Sequence, residues 1–291
     1  MYRVHAIMSR ADAERLSDLL AGMDPSPAAA VATEEVSHTT WRLEAFCHDE
    51  DSARGAVEIV DHEIPGARAA IEKLEDRDWV AQSLAGLPAV HAGPYVVAGA
   101  HELARISGGR IPVWIEAGPA FGTGHHGTTM GCLLALSDIV RKTRPETVLD
   151  VGTGSGVLAI AAVKSGVRRA VAGDIDAESV RIARENAKNN RTGRRMKLLV
   201  ATGANSAAVR TGGPYDVVLA NILARPLVAL AGDIARLVRP GGHVVLSGLL
   251  THQEPSVRAA YGNRGLTLVR RGRLSGWSTL TYVRGKVGKG A

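Results

Sequence analysis

Three glycines at alternate positions, Gly152, Gly154 and Gly156, follow directly on the apolar run Val148-Leu149-Asp150-Val151. Glycines in that place do binding chemistry: they let a chain leaving a buried parallel strand turn sharply, and let its backbone approach a ligand at a distance that a Cβ would block. Eighteen residues past Gly156, the run Ala170-Val171-Ala172-Gly173 ends in Asp174, where a carboxylate can accept both hydroxyls of a ribose. A third apolar run ends in Asn221-Ile222-Leu223-Ala224. Asn221 offers an acceptor oxygen and an amide donor; the competing reading is a turn residue that tolerates left-handed geometry. Dinucleotide sites space their glycines as G-x-G-x-x-G. Here the spacing is G-x-G-x-G with Asp150 two residues ahead, which favours S-adenosylmethionine over NAD as the bound cofactor. His125 and His126 sit side by side in a glycine loop without the spacing of metal ligands, so no metal is expected.

Those residues need elements to hold them. From Thr147 the pattern alternates strand and helix, as a doubly wound parallel sheet requires. Strands are predicted at Val148–Val151, Ala170–Asp174, Lys197–Val200, Val217–Ala220 and His243–Ser247. A hairpin-spaced pair, Leu266–Arg271 and Trp277–Val283, suits an antiparallel final strand and brings the sheet to seven. Helices are predicted behind the glycine turn (Val157–Lys164, closed by Gly166), after Asp176 as far as Asn189, from Pro226 to the Pro240-Gly241-Gly242 stop, and around Pro255–Tyr261. In open sheets of this kind ligands lie beyond the carboxyl ends of the strands, so Gly152, Asp174 and Asn221 should converge. Ahead of them, Gly118 to Gly127 reads as a loop, and Thr128 as the N-cap of a helix reaching Thr143.

The front of the chain is a separate small α+β unit, ferredoxin-like in pattern: strands at Met1–Met8, Thr39–Cys47 and Ala67–Leu74, and helices at Asp12–Ala21 and Asp51–His62. A charged break at Glu75-Asp76-Arg77-Asp78 and a short helix, Trp79–Leu87, give boundaries of 1–76 for this unit, 77–92 for a linker and 93–291 for the larger domain. Residues 1–100 hold 8 Lys+Arg against 17 Asp+Glu, and residues 101–291 hold 27 against 12, so a front of −9 precedes a back of +15. An acidic front can recruit a basic partner by charge steering. With 45% hydrophobic and 22% charged residues the composition is that of a globular protein, and no window reaches the roughly 20 apolar residues of a membrane span. The start lacks the pattern of a signal peptide, and Cys47 and Cys132, the two cysteines, stand in apolar surroundings. A cytoplasmic protein with core thiols is expected.

The loop Ala120-Phe121-Gly122-Thr123-Gly124-His125-His126-Gly127-Thr128-Thr129, the Asp150–Gly156 turn, the Gly173-Asp174-Ile175-Asp176 step and Asn221-Ile222-Leu223-Ala224 together resemble the ribosomal protein L-eleven methyltransferase (PrmA) family. The specific part is the Phe-Gly-Thr-Gly-His loop joined to Asn-Ile-Leu-Ala. The resemblance implies a class I methyltransferase that moves methyl groups from S-adenosylmethionine to lysine side chains and the N-terminal α-amine of the large-subunit protein L-eleven, gripped by the front domain. It implies cofactor contacts at Thr129, Gly152, Gly154, Asp174 and Asn221, with Phe121 and Gly122 nearby, and a catalytic placement for Asn221. A monomer without sequence-specific nucleic-acid binding is expected. The chain departs from the family pattern at Gly127, where proline is common. Two other readings stay open: a methyltransferase for another protein or a small amine, and an RNA- or ribosome-binding protein with a vestigial cofactor pocket.

Overall fold

Along β1 (Tyr2–Met8), Val4, Ala6 and Met8 are buried at every second position, the period of a strand with one covered face. Helix α1 (Arg10–Gly22) starts where the Ser9 hydroxyl accepts from the Asp12 amide, and α2 (Glu50–Glu63) where Asp49 accepts from the Ser52 amide. Between and after them lie β2 (Ala30–Ser37), β3 (Thr40–Cys47) and β4 (Ala70–Lys73). In this computed structural model, which describes residues 2–23, 26–28, 30–37, 39–73, 89–103, 106, 108–115 and 127–285, these strands form one sheet in the order β2-β3-β1-β4. Every neighbouring pair is antiparallel. Leu16, Leu20, Leu43, Ala53, Ala56 and Val60 fill the core between helices and sheet. Strand β2 is absent from the sequence reading: most of its residues are exposed at the edge of the sheet, so no apolar period betrays it.

This unit spans Met1–Trp79, and Val80–Ala291 forms a second. The second begins with a three-stranded sheet in the order β5-β6-β7: β5 (Val90–Ala92), β6 (Tyr95–Ala98) and β7 (Ile111–Trp114), with a short helix α3 (Ala100–Leu103) between the last two. Then come α4 (Gly127–Thr143), β8 (Thr147–Val151), α5 (Val157–Lys164), β9 (Arg169–Asp174), α6 (Ala177–Asn189), β10 (Met196–Val200), α7 (Ala207–Arg210), β11 (Tyr215–Asn221), α8 (Ala224–Leu237), β12 (Val238–Leu250), α9 (Glu254–Gly262), β13 (Leu266–Leu274) and β14 (Trp277–Arg284).

The large sheet has the order β10-β9-β8-β11-β12-β14-β13. Its first five strands are parallel, and β14 runs antiparallel to both β12 and β13. The doubly wound seven-stranded sheet with an antiparallel final strand is thus borne out. Helices cover both faces, which is why Val217, Val218, Leu219 and Ala220 form an unbroken buried run rather than alternating. Val218 and Ala220 face a core with Leu149 and Leu227, whereas Val217 and Leu219 face one with Val148 and Ile160. The winding reverses between β8 and β11, and the crevice this leaves is where the fold binds ligands.

Two local expectations are corrected. Thr128 does not cap α4; the helix already includes Gly127, and Thr128 is fully buried in its first turn. The Pro240-Gly241-Gly242 stop belongs to β12, not to the end of α8: the helix ends at Leu237, and the pairing shifts between Tyr215↔Val238 and Val217↔His243, absorbing the three residues as a bulge. Residues 77–88 of the expected linker, 118–126 of the glycine loop and the tail from 286 lie outside the described residues. Among those described, no helix is long and apolar enough to cross a membrane.

Candidate functional site

At the carboxyl end of β8 the chain meets its neighbour strand: the amides of Gly152 and Thr153 both donate to the Gly173 carbonyl, at 2.9 and 3.0 Å. Gly152, Gly154 and Gly156 take φ of 70, 52 and 83°, a left-handed region closed to most side chains. A Cβ on Gly152 would meet Ile222 Cγ2 at 2.3 Å, and one on Gly156 would meet the Ala183 Cβ at 3.2 Å. The turn is therefore pressed between the Asn221 loop and α6, and only glycine fits.

Asp174, half-buried at the end of β9, accepts from the Gly154 amide at 2.8 Å and the Asp176 amide at 3.1 Å. Each of its oxygens keeps a lone pair for another donor. Asp150, one strand in, is 1% exposed. Its Oδ2 accepts from the Thr153 hydroxyl at 2.7 Å, and its Oδ1 has no hydrogen-bond partner among the described residues. Burial pushes this carboxyl up to about 6; the Thr153 bond works against the rise and the Asp174 charge adds to it.

Asn221 closes β11. Its Nδ2 donates to the Thr129 hydroxyl at 3.3 Å, and its buried Oδ1 has no partner among the described residues. Thr129 is fully buried in the first turn of α4, so the helix fixes the amide from behind. Gly127, which starts that helix, lies close to β13: a Cβ there would meet the Leu274 carbonyl oxygen at 3.1 Å.

Thr129, Gly152, Gly154, Asp174 and Asn221 all line one cavity of about 720 Å³, the size of a cofactor or drug-sized ligand site. Sequence reasoning missed other lining residues. Ile175 and Leu223, 72% and 69% exposed, present apolar surface beside Asp174 and Asn221. Gly248, with φ 86°, packs so tightly on Ile222 that a Cβ would meet its carbonyl oxygen at 2.3 Å. Trp277 lines the cavity from β14. The signal for Ile175 and Leu223 was legible, an apolar residue just past each strand end; Gly248 looks like any strand glycine. Phe121 and Gly122 lie outside the described residues.

The donor set suits a nucleoside with a charged tail. Asp174 can accept from a diol, the exposed apolar side chains need a flat apolar ring to cover them, and the unpartnered Asn221 Oδ1 calls for an N–H. S-adenosylmethionine meets all three requirements. Among the described residues no group of three His, Cys, Asp or Glu stands together to hold a metal. Cys47 and Cys132 are buried free thiols, pushed up by burial, and take no part in the site.

The model of the family described as ribosomal protein L11 methyltransferase (PrmA) matches residues 3–285 of the chain. A ribosomal protein L11 methyltransferase of Caulobacter sp. (strain K31) is 44% identical over 282 residues, covering 95% of each chain. Another, from Bradyrhizobium diazoefficiens, is 45% identical over 278 residues and 94% of each. Among solved structures, a ribosomal protein L11 methylase from Lactobacillus delbrueckii subsp. bulgaricus superposes with a TM-score of 0.61 at 29% identity, over 68% of this chain and 100% of that one.

Proposed function

This chain belongs to the ribosomal protein L11 methyltransferase family, and from that premise we propose that it methylates lysine side chains and the N-terminal α-amine of ribosomal protein L11, with S-adenosylmethionine as methyl donor. The observation that carries the reading is the convergence of the glycine turn, Asp174 and Asn221 on one cavity at the carboxyl ends of β8, β9 and β11. Bound there, the cofactor supplies an electrophilic methyl group on a sulfonium.

In this reading Asp174 holds the ribose, and Gly152 and Gly154 let the backbone close on the ligand. Thr129 holds the Asn221 amide in register, and the family resemblance adds Phe121 and Gly122 to the cofactor contacts. Asn221 keeps Oδ1 for the N–H of the incoming amine and aims its lone pair. Alignment of this kind supplies about 7–11 kcal/mol to a displacement without a covalent intermediate. The acceptor must arrive neutral. Loss of the proton costs a lysine roughly 4–5 kcal/mol at pH 7 and an α-amine about 1 kcal/mol, so the α-amine is the easier acceptor. Desolvation beside a cationic centre lowers the lysine value, and no general base is assigned.

Residues 1–76 serve as the recognition unit, their acidic surplus matched to a basic ribosomal protein, and residues 77–92 as the linker to the catalytic domain. The protein works as a cytoplasmic monomer. Intact-mass spectrometry of purified L11, incubated with this protein and S-adenosylmethionine, tests the reading. Mass gains in steps of one methyl group, mapped to lysines and the N-terminus, are expected. No gain, with cofactor binding demonstrated separately, would overturn the assignment of L11.

A further inference from the structure

Residues 184–197 carry six cations, Arg184, Lys188, Arg191, Arg194, Arg195 and Lys197, against one carboxylate, Glu185, which is engaged by Arg181. Their placement is ordered. Arg184 and Lys188 are one helical turn apart on α6, and Arg191 follows just past the helix, held at φ 57° while the Thr192 amide donates back to the Ala187 carbonyl. Arg194 and Arg195 form the turn into β10, the outermost strand of the sheet. Arg184, Lys188, Arg191 and Arg194 line a groove of about 610 Å³ whose apolar lining includes Met196 and Leu198.

This cluster differs from the arginines of β13 in its lack of counter-charge. Arg270 is paired with Asp138, and Arg271 and Arg273 share the buried Glu254. Of the cations in the 184–197 cluster, Arg184 donates to a backbone carbonyl, that of Leu198, and none has a carboxylate partner among the described residues. The helix dipole accounts for a cation or two at the end of α6, but not for the Arg194-Arg195 turn or for a groove lined by four.

We propose that this groove is a docking surface for the phosphate backbone of RNA, bound without sequence preference. Phosphates would supply the missing counter-charge, and guanidinium planes and the apolar lining would receive unstacked bases. The choice of RNA rests on the proposed substrate being a ribosomal protein, a component that works against RNA; the unpaired charge does not depend on that reading. The surface is also clear of the chemistry. Met196 pairs with Ala170 at the start of β9, whereas the cofactor cavity lies at the other end of that strand, at Asp174. The separation is on the order of 15 Å. RNA held here would position the enzyme without covering its active centre.

The test is fluorescence anisotropy of a labelled, unstructured RNA of roughly 20 nucleotides with the full-length protein, titrated at salt from about 50 to 200 mM. Wild type is expected to bind with steep salt dependence. The triple variant Lys188→Ala/Arg194→Ala/Arg195→Ala should lose tenfold or more, with a slope of log K on log salt shallower by about 2. Arg270→Ala, at the opposite edge of the sheet and paired with Asp138, should stay within twofold of wild type. Equal RNA affinity in the triple variant, an equal loss in Arg270→Ala, or binding to anionic phospholipid vesicles but not to RNA would each overturn the proposal. Methyl transfer to free L11, measured on the same preparations, should be unchanged. Because RNA binding is read without turnover, failure of the substrate assignment and failure of this surface are told apart.

Discussion

Gly152, like Gly248, admits no side chain, since both its φ of 70° and the 2.3 Å approach of Ile222 exclude one. Gly152→Ala should destabilise the fold by about 1–3 kcal/mol and abolish cofactor binding, read by thermal melting and calorimetry. Asp174→Ala should leave the fold standing and weaken S-adenosylmethionine binding by about 1.5–3 kcal/mol for each charge-assisted bond lost, roughly 10- to 150-fold. Unchanged affinity in calorimetry would remove Asp174 from the cofactor site. Asn221→Ala should depress kcat more than cofactor affinity if its oxygen aims the amine.

Asp150 adds a pH signature. Its folded value of about 6 stands above the ordinary 3.8, so the folded state takes up the proton first. Its contribution to stability is full below about 4 and is lost as pH rises through about 6. Relative to Asp150→Asn, wild type should therefore melt at higher temperature at pH 5 than at pH 7.5; a pH-independent difference would show that Asp150 does not titrate in this range.

At the scale of elements, local signals were legible and distant ones were not. The glycine turn, the Asp176 cap and the C-terminal hairpin each announce themselves within a few residues, through a φ that only glycine adopts, a side chain that accepts from Glu178 and Ser179, or a spacing that fits a turn. Strand β2 gave no signal because an exposed edge need not alternate. Gly248 gave none because its reason, the Ile222 backbone, lies on another loop. Glu254 is of the same kind. In sequence it is one more acidic residue before a proline; in the fold it is 2% exposed and accepts from Ser278 Oγ at 2.6 Å and Arg273 Nε at 2.9 Å, tying α9 to the final hairpin. These bonds outweigh burial and hold its carboxyl below the usual range. Glu254→Ala strands the buried Ser278 hydroxyl and should lower stability by about 1–3 kcal/mol, seen as a reduced Tm.

For the molecule as a whole, the informative fact is that each unit has a core of its own, Leu16, Leu43 and Val60 in the first, and the two faces of the large sheet in the second. Removing residues 1–76 should therefore leave S-adenosylmethionine binding intact while methylation of L11 collapses. Loss of both would show instead that the catalytic domain needs the front unit to fold. The order of the large sheet has a further consequence for how the protein is made. Strands β8 to β12 can align as they are synthesised, yet one side of β12 stays bare until residues 277–284 slide in between it and β13. A nascent chain carries that open, apolar edge from the completion of β12 at Leu250 until residues 277–284 have emerged, and this late interval is the one in which it is most exposed to mispairing with other chains and most dependent on chaperones.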